Sequence, residues 1–193
     1  MIEPQAHPAG SWVESHFRPM VAVVCSVYLV PAVILAVRFP LHMDEFQYAW
    51  FAWKIGQSLP YQDIHPLKPL LGFYLIRGGL HLAQDPWLAL IAVRLAMAAV
   101  NAIALACLAV ALGRLYGRVP GLLAVLLLAM MSTFILHSVA IRVDLPGTWC
   151  AVAALLLLVS GKHLPAGLLA GLGLLFTQKA GYFILASNLG LAG

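Results

Sequence analysis

Eight side chains in this sequence are of types that could do chemistry together: the adjacent carboxylates Asp44 and Glu45, then Tyr48, His65, Lys68, Arg142, Asp144 and Lys179. A carboxylate held against an acceptor hydroxyl can take its proton as the oxygen attacks. An ammonium or guanidinium group beside a phosphate can hold it and stabilise it as a leaving group. Asp44 and Glu45 are therefore the candidate catalytic groups. Tyr48, His65, Lys68, Arg142, Asp144 and Lys179 are the candidate substrate-binding groups.

Each has a plainer reading beside it. Asp44 with Gln47 three positions later fits a helix N-cap of the capping-box kind. An N-cap needs only one acid, which leaves Glu45 without a structural role. Tyr48 shares a helix face with Asp44, at i and i+4, that differs from the face of Glu45. In "PYQDIHPLKPLLGFYL" three prolines hold the chain extended until after Pro69, because proline fixes φ and restricts the residue before it. Lys68 then precedes a helix, where the dipole gives no reason for a cation. It either snorkels to lipid headgroups or holds an anionic headgroup such as a lipid phosphate. His65 can hydrogen-bond, ligate a metal or cover the loop. Asp85-Pro86 reads as an N-cap with proline at the first helical position. Asp144 in "RVDLPGTW" has the same cap signature, but it shares a short membrane-edge loop with Arg142, where an acid is a functional candidate. Arg94 and Lys179 sit inside apolar runs, at about 2.5–3.5 kcal/mol each on insertion scales. Each is near enough to a run's end to snorkel, and Lys179 lies at the end that reaches the acidic side.

The elements that must position these groups follow from composition. The 193 residues are 63% hydrophobic and 9% charged, with mean hydropathy +0.94. Soluble domains carry about 25% charged residues. This chain is therefore expected to be an all-α, polytopic helical membrane protein. A net charge of +4 without any Lys/Arg cluster bears on topology rather than on nucleic acid, so no nucleic-acid partner is expected. Spanning a bilayer takes about 20 apolar residues. Runs at 20–37, 86–112, 120–137, 145–160 and 164–189 meet or approach this, so five spans are expected. They are preceded by a tail at 1–19 and include a long first loop at about 39–85. Within that loop Phe46, Trp50 and Trp53 recur at i, i+4 and i+7, as in a helix lying at headgroup depth. The segment 69–82, interrupted by Arg77 and a Gly-Gly pair, reads as a second interfacial helix.

Alternating loops put Asp44, Glu45, Asp63, Asp85 and Asp144, five of the seven acids, on one side of the membrane. The opposite short loops carry Arg114, Arg118 and Lys162. Their positive charge favours a cytoplasmic N-terminus and an outward-facing acidic loop, although Lys54, Lys68 and Arg77 lie on the outer side. The three cysteines, Cys25, Cys107 and Cys150, fall in apolar runs at unrelated spacings and read as small core residues. Zinc-protease, nucleophile-elbow, Walker and dinucleotide motifs are all missing. No cofactor is called for, and Asp44, Glu45 and His65 offer the one place for a divalent metal.

One apolar span, then "DEFQYAWFAWKIGQSLPYQDIHPLKPLLGFYL", "VRLAMAAVNAIALACLAVALGRLYGR" and "IRVDLPG", resembles in order and spacing the amino-terminal part of a GT-C glycosyltransferase. The likeness is to family 39, the protein-mannosyltransferase-like group that includes the aminoarabinose transferases. Where members often have Arg before the Tyr of the first motif, this chain has Gln47, and the common "KPP" is "KPL". The resemblance implies that Asp44 is the catalytic base or acceptor-binding acid, with Glu45 its acidic neighbour. It also implies that Lys68 holds a lipid phosphate and that Asp144 is the second acid. The implied donor is a polyprenyl-phosphate-linked sugar, transferred with inversion at the outer face of a bacterial inner membrane to a lipid, glycan or protein hydroxyl. Relatives have many more spans, so the likeness covers their amino-terminal portion only, which implies a fragment, a truncated reading frame or a degenerate copy. A transporter is the rival from another class. It would place such charges near the bilayer midplane on broken helices, whereas here they crowd one face. A truncated, non-catalytic membrane subunit is the third reading. The transferase reading expects Asp44, Lys68 and Asp144 to meet in one pocket.

Overall fold

The computed structural model describes the backbone of residues 8–192 and the side chains of residues 12–186. Among the described residues it is all-helical: α1 Pro8–Arg38, α2 Met43–Lys54, α3 Leu71–Leu80, α4 Pro86–Tyr116, α5 Arg118–Met130, α6 Ser132–Val139, α7 Asp144–Val159, α8 His163–Phe176 and α9 Ala180–Ala192. Two helices, α2 and α3, occupy the long first loop where the sequence places them. Residues 1–7 of the expected tail lie outside the described residues, and the rest of it is already helix. Pro19 opposes the carbonyl of Ser15, and beside it His16 leaves helical geometry (φ −109°, ψ 16°).

The expected five spans are corrected. Trp12–Arg38 and Pro86–Tyr116 are long and apolar enough to cross a bilayer, and α5 with α6 makes a third candidate bent by 69°. At 16 and 14 residues, α7 and α8 are about 24 and 21 Å long, short of a roughly 30 Å hydrocarbon core. The run at 164–189 is not one helix. Thr177 is extended (φ −155°, ψ 137°) and separates α8 from α9.

Two apolar clusters organise the chain. Tyr28, Ala32 and Ala36 of α1 pack with Ala98, Leu105 and Ala109 of α4 and with Val125 and Ala129 of α5. The α4–α5 hairpin is so tight that a Cβ at Gly121 would lie 2.6 Å from the Gly113 backbone nitrogen. At the acidic end, Ala52 and Ile55 meet Phe73 and Ile76 of α3, Val93 and Met97 of α4, and Ile141 and Val143 of the α6–α7 connection.

A polar relay crosses this apolar interior. Tyr28 donates to Ser138 Oγ at 2.8 Å. Asn101 donates to the carbonyls of Ser138 at 2.9 Å and Met97 at 2.7 Å, and accepts from Trp149 Nε1 at 2.6 Å. Helices α1, α6, α4 and α7 are thereby tied together where water cannot compete. Asn101→Leu should strand the Trp149 donor and cost about 1–3 kcal/mol. Thermal unfolding in detergent would show this as a lowered midpoint, and an unchanged midpoint would mean that the relay holds nothing together.

Candidate active site

Glu45 is the third residue of α2, and its side chain is buried. Oε2 accepts from the His42 N–H at 3.0 Å, which is the carboxylate half of a capping box. Oε1 accepts from the Ile141 N–H at 2.9 Å. Arg94 grips both oxygens, from Nε at 2.9 Å and Nη2 at 2.6 Å. The remaining guanidinium donors go to the carbonyls of Ala36, Phe39 and Pro40 at 3.3, 2.7 and 3.1 Å. All five Arg94 N–H groups are thus used, one of them on the Ala36 carbonyl that the last turn of α1 leaves open and two on carbonyls just past that helix.

Glu45 is 1% and Arg94 3% exposed. Burial alone would push the Glu45 carboxyl up. The Arg94 guanidinium and the His42 and Ile141 N–H groups outweigh that and hold it below the usual carboxylate range. Two sequence expectations are corrected here. His42, not Asp44, is the N-cap of α2, with Glu45 supplying the capping-box carboxylate, and Arg94 does not snorkel but is the buried partner of Glu45. The signal for Arg94 was its cost in an apolar run, which asks for an acid, and Glu45 was the acid without a job.

With Glu45 anchored, Asp44 is turned outward. It lines a cleft of about 260 Å³ with His42, Met43, His137, Ala140 and Arg142, and the buried Glu45 borders the same cleft. Arg142 Nη1 donates to His137 Nδ1 at 3.1 Å, which sets the guanidinium at the cleft. Among the described residues Asp44 is in none of the ion pairs, and it is exposed in a cleft that Arg142 also lines.

A second cluster forms around Asp144. Its Oδ2 accepts from Lys68 Nζ at 2.5 Å and Lys179 Nζ at 3.2 Å, and its Oδ1 from Thr177 Oγ1 at 2.8 Å. Lys68 also stands over the Tyr48 ring, 5.0 Å from its centroid. Burial alone would lower the Lys68 ammonium pKa, but the Asp144 carboxylate and Tyr48 outweigh it and hold it above its ordinary value. The expected N-cap role of Asp144 is corrected: the cap position of α7 is Val143, without a side-chain cap bond, and the carboxylate reaches across to other segments. Close approach of α7 and α8 makes this possible. A Cβ at Gly147 would lie 2.7 Å from Thr177 Cγ2 and 3.0 Å from the Gly173 carbonyl oxygen, so only glycine admits Thr177 to Asp144. Thr177 is a site residue that the sequence reading missed, though the polar triplet Thr177-Gln178-Lys179 interrupting an apolar run marks the place.

The structure therefore brings Tyr48, Lys68, Asp144 and Lys179 together, and separately Asp44 and Arg142. The single pocket expected for Asp44, Lys68 and Asp144 is divided in two. Segment 140–144 borders both parts, with Arg142 at one and Asp144 at the other. His65 is exposed in the loop before Lys68 and is in neither. Asp44, Glu45 and His65 do not form a metal site: Glu45 is committed to Arg94, and no group of three or more His, Cys, Asp or Glu side chains suited to a metal occurs among the described residues.

A helical membrane protein with cations and carboxylates gathered at one end of its bundle is the class that the fold and site define. Residues 67–191 match the family model described as dolichyl-phosphate-mannose-protein mannosyltransferase. That is well over half of the chain, and the protein belongs to this family, a membrane glycosyltransferase family of the GT-C type. Lys68, Asp144, Thr177 and Lys179 lie inside the matched stretch, while Asp44, Glu45, Tyr48 and His65 precede it. No curated protein and no solved structure matches the chain.

The lowered Glu45 pKa has a direction in pH. Its stabilisation is fully present above the unfolded value, near 4.5, and is lost as pH falls through the lower folded value. Thermal midpoints measured from about pH 7 down to pH 3 should fall steeply on the acid side for wild type and less steeply for Glu45→Gln. Parallel profiles would mean that Glu45 is not ionised in the folded state.

Proposed function

We propose that this protein transfers a sugar from a polyprenyl-phosphate donor to an acceptor hydroxyl at the membrane edge. Asp44 accepts the acceptor proton as the oxygen attacks the anomeric carbon. The carbon–phosphate-oxygen bond breaks on the opposite side, and polyprenyl phosphate leaves with inversion at that carbon. Lys68 and Lys179 hold the lipid phosphate and stabilise the charge it gains, and Arg142 orients the sugar or phosphate next to Asp44.

The observation that carries this reading is the charge balance around Asp144. Two ammonium groups share one carboxylate, so the cluster keeps one positive charge to spare. Its outer member is the movable one, since the Lys179 side chain is 62% exposed and the Lys68 side chain 19%. An arriving phosphate monoanion can draw Lys179 from Asp144 and accept from a remaining donor of Lys68, which keeps its bond to Asp144. Tyr48 lies one helical turn from Asp44 and carries Lys68 over its ring, which supports setting the phosphate at the cluster and the acceptor at the cleft. The exposed stripe of Phe46, Trp50 and Trp53 on α2 suits a helix that rests at headgroup depth, where a lipid-linked sugar emerges.

Reconstituted protein supplied with a polyprenyl-phosphate sugar tests the assignment. Asp44→Asn should lower kcat by about 10²–10⁴-fold, the usual worth of a general base. Lys179→Met should mainly raise KM for the donor. Undiminished transfer by Asp44→Asn would take Asp44 out of the catalytic role.

A further inference from the structure

From Trp149 to the end of the bundle away from Asp144, a groove of about 490 Å³ runs between α4 and α7, with Leu169 of α8 also lining it. Ala104, Leu108 and Ala111 form one wall, and Trp149, Ala153 and Leu156 face them. From Ala104 to Arg114, and from Trp149 to Ser160, the walls are each about 15 Å long at 1.5 Å per residue. The lining is apolar along this length and changes character at one end, where Arg114, Ser160 and Lys162 close it.

Charge complementarity says what fits. Arg114 and Lys162 are both exposed. Neither belongs to the ion pairs found among the described residues, whereas nearby Arg118 is paired with Glu14 at 2.8 Å. Lys162 immediately precedes α8, so the open N–H groups of that helix add to the positive potential. An apolar channel of acyl-chain length, ending in unpaired cations at a membrane surface, matches a lipid with a negatively charged phosphate headgroup.

We propose that the α4–α7 groove is a binding site for an anionic phospholipid, one acyl chain lying along Ala104–Ala111 and the headgroup phosphate held by Arg114 and Lys162. The site is separate from the sugar-transfer site. About 24 Å of α7, at 1.5 Å per residue, divides Asp144 from Ser160, and the proposal does not depend on the transferase reading. The lipid would fill the space between α4 and α7 and replace the missing protein–protein packing there.

The test is native mass spectrometry of the detergent-purified protein with phosphatidylglycerol or phosphatidylcholine of identical acyl chains. Phosphatidylglycerol should be retained at least about tenfold better, and Arg114→Ala with Lys162→Ala should remove that preference, at about a fivefold loss per cation. Arg118→Ala, outside the groove, should leave retention unchanged, and Ala153→Trp should block both lipids. The charge variants lie on the surface, so the test does not hang on whether the Trp variant folds. Equal retention of the two lipids, or a preference that survives loss of both cations, would overturn the proposal. Displacement of phosphatidylglycerol by polyprenyl phosphate at equal concentration would also overturn it, by giving the groove to the sugar donor.

Discussion

The Glu45–Arg94 pair is the interaction on which the arrangement of the acidic end depends. A buried ion pair stabilises a fold only when its remaining hydrogen bonds are made, because desolvating two charges costs several kcal/mol per ion. Here every guanidinium donor has an acceptor, and the carboxylate has four N–H donors. The partners come from the end of α1 and the residues just after it, the start of α2, the first third of α4 and the α6–α7 connection. One contact thus sets the positions of four segments. It also explains why two acids stand side by side. Successive residues on a helix point about 100° apart, so fixing Glu45 inside turns Asp44 toward the cleft. One acid is committed to structure, and the other keeps an exposed carboxylate at the cleft.

The segment 140–144 carries that constraint to the rest of the site. Its residues alternate in role: Ile141 donates to Glu45, Arg142 borders the Asp44 cleft, Val143 is buried against Gly72, and Asp144 gathers the two lysines. Such a short stretch cannot shift at Ile141 without moving Asp144. The cleft and the cation cluster are therefore positioned by the same anchor, although they are distinct spaces. Thr177 supplies the second hold on Asp144 by breaking α8 where an extended residue can turn its hydroxyl toward α7.

Much of this was legible in the residues. Hydropathy marks the long helices α1 and α4, and the Phe46, Trp50 and Trp53 stripe marks α2 as an exposed-face helix. Asp85 caps α4 as its Asp-Pro pair indicates, accepting from the Leu88 N–H at 2.8 Å. What composition cannot convey is which polar groups meet across the chain. Asp44 and Glu45 look interchangeable in a linear reading, and only the Arg94 partner, 49 positions away, tells them apart. Asp144 followed by Leu-Pro looks like a helix cap, yet its carboxylate is claimed by Lys68, Thr177 and Lys179 from distant segments. Span counting failed for a related reason. An apolar run of sufficient length can hide a break at Met131 or Thr177, because hydropathy does not register φ and ψ.

The most direct measurement is a double-mutant cycle on folding stability with Glu45→Gln, Arg94→Met and the pair together, by chemical denaturation in a mixed micelle. Arg94→Met alone strands a buried carboxylate and should cost about 3–5 kcal/mol. Removing both partners should then cost well below the sum of the single losses, a coupling of about 2 kcal/mol or more. Additive losses would show that Glu45 and Arg94 act independently, and the anchor that orients Asp44 would not exist.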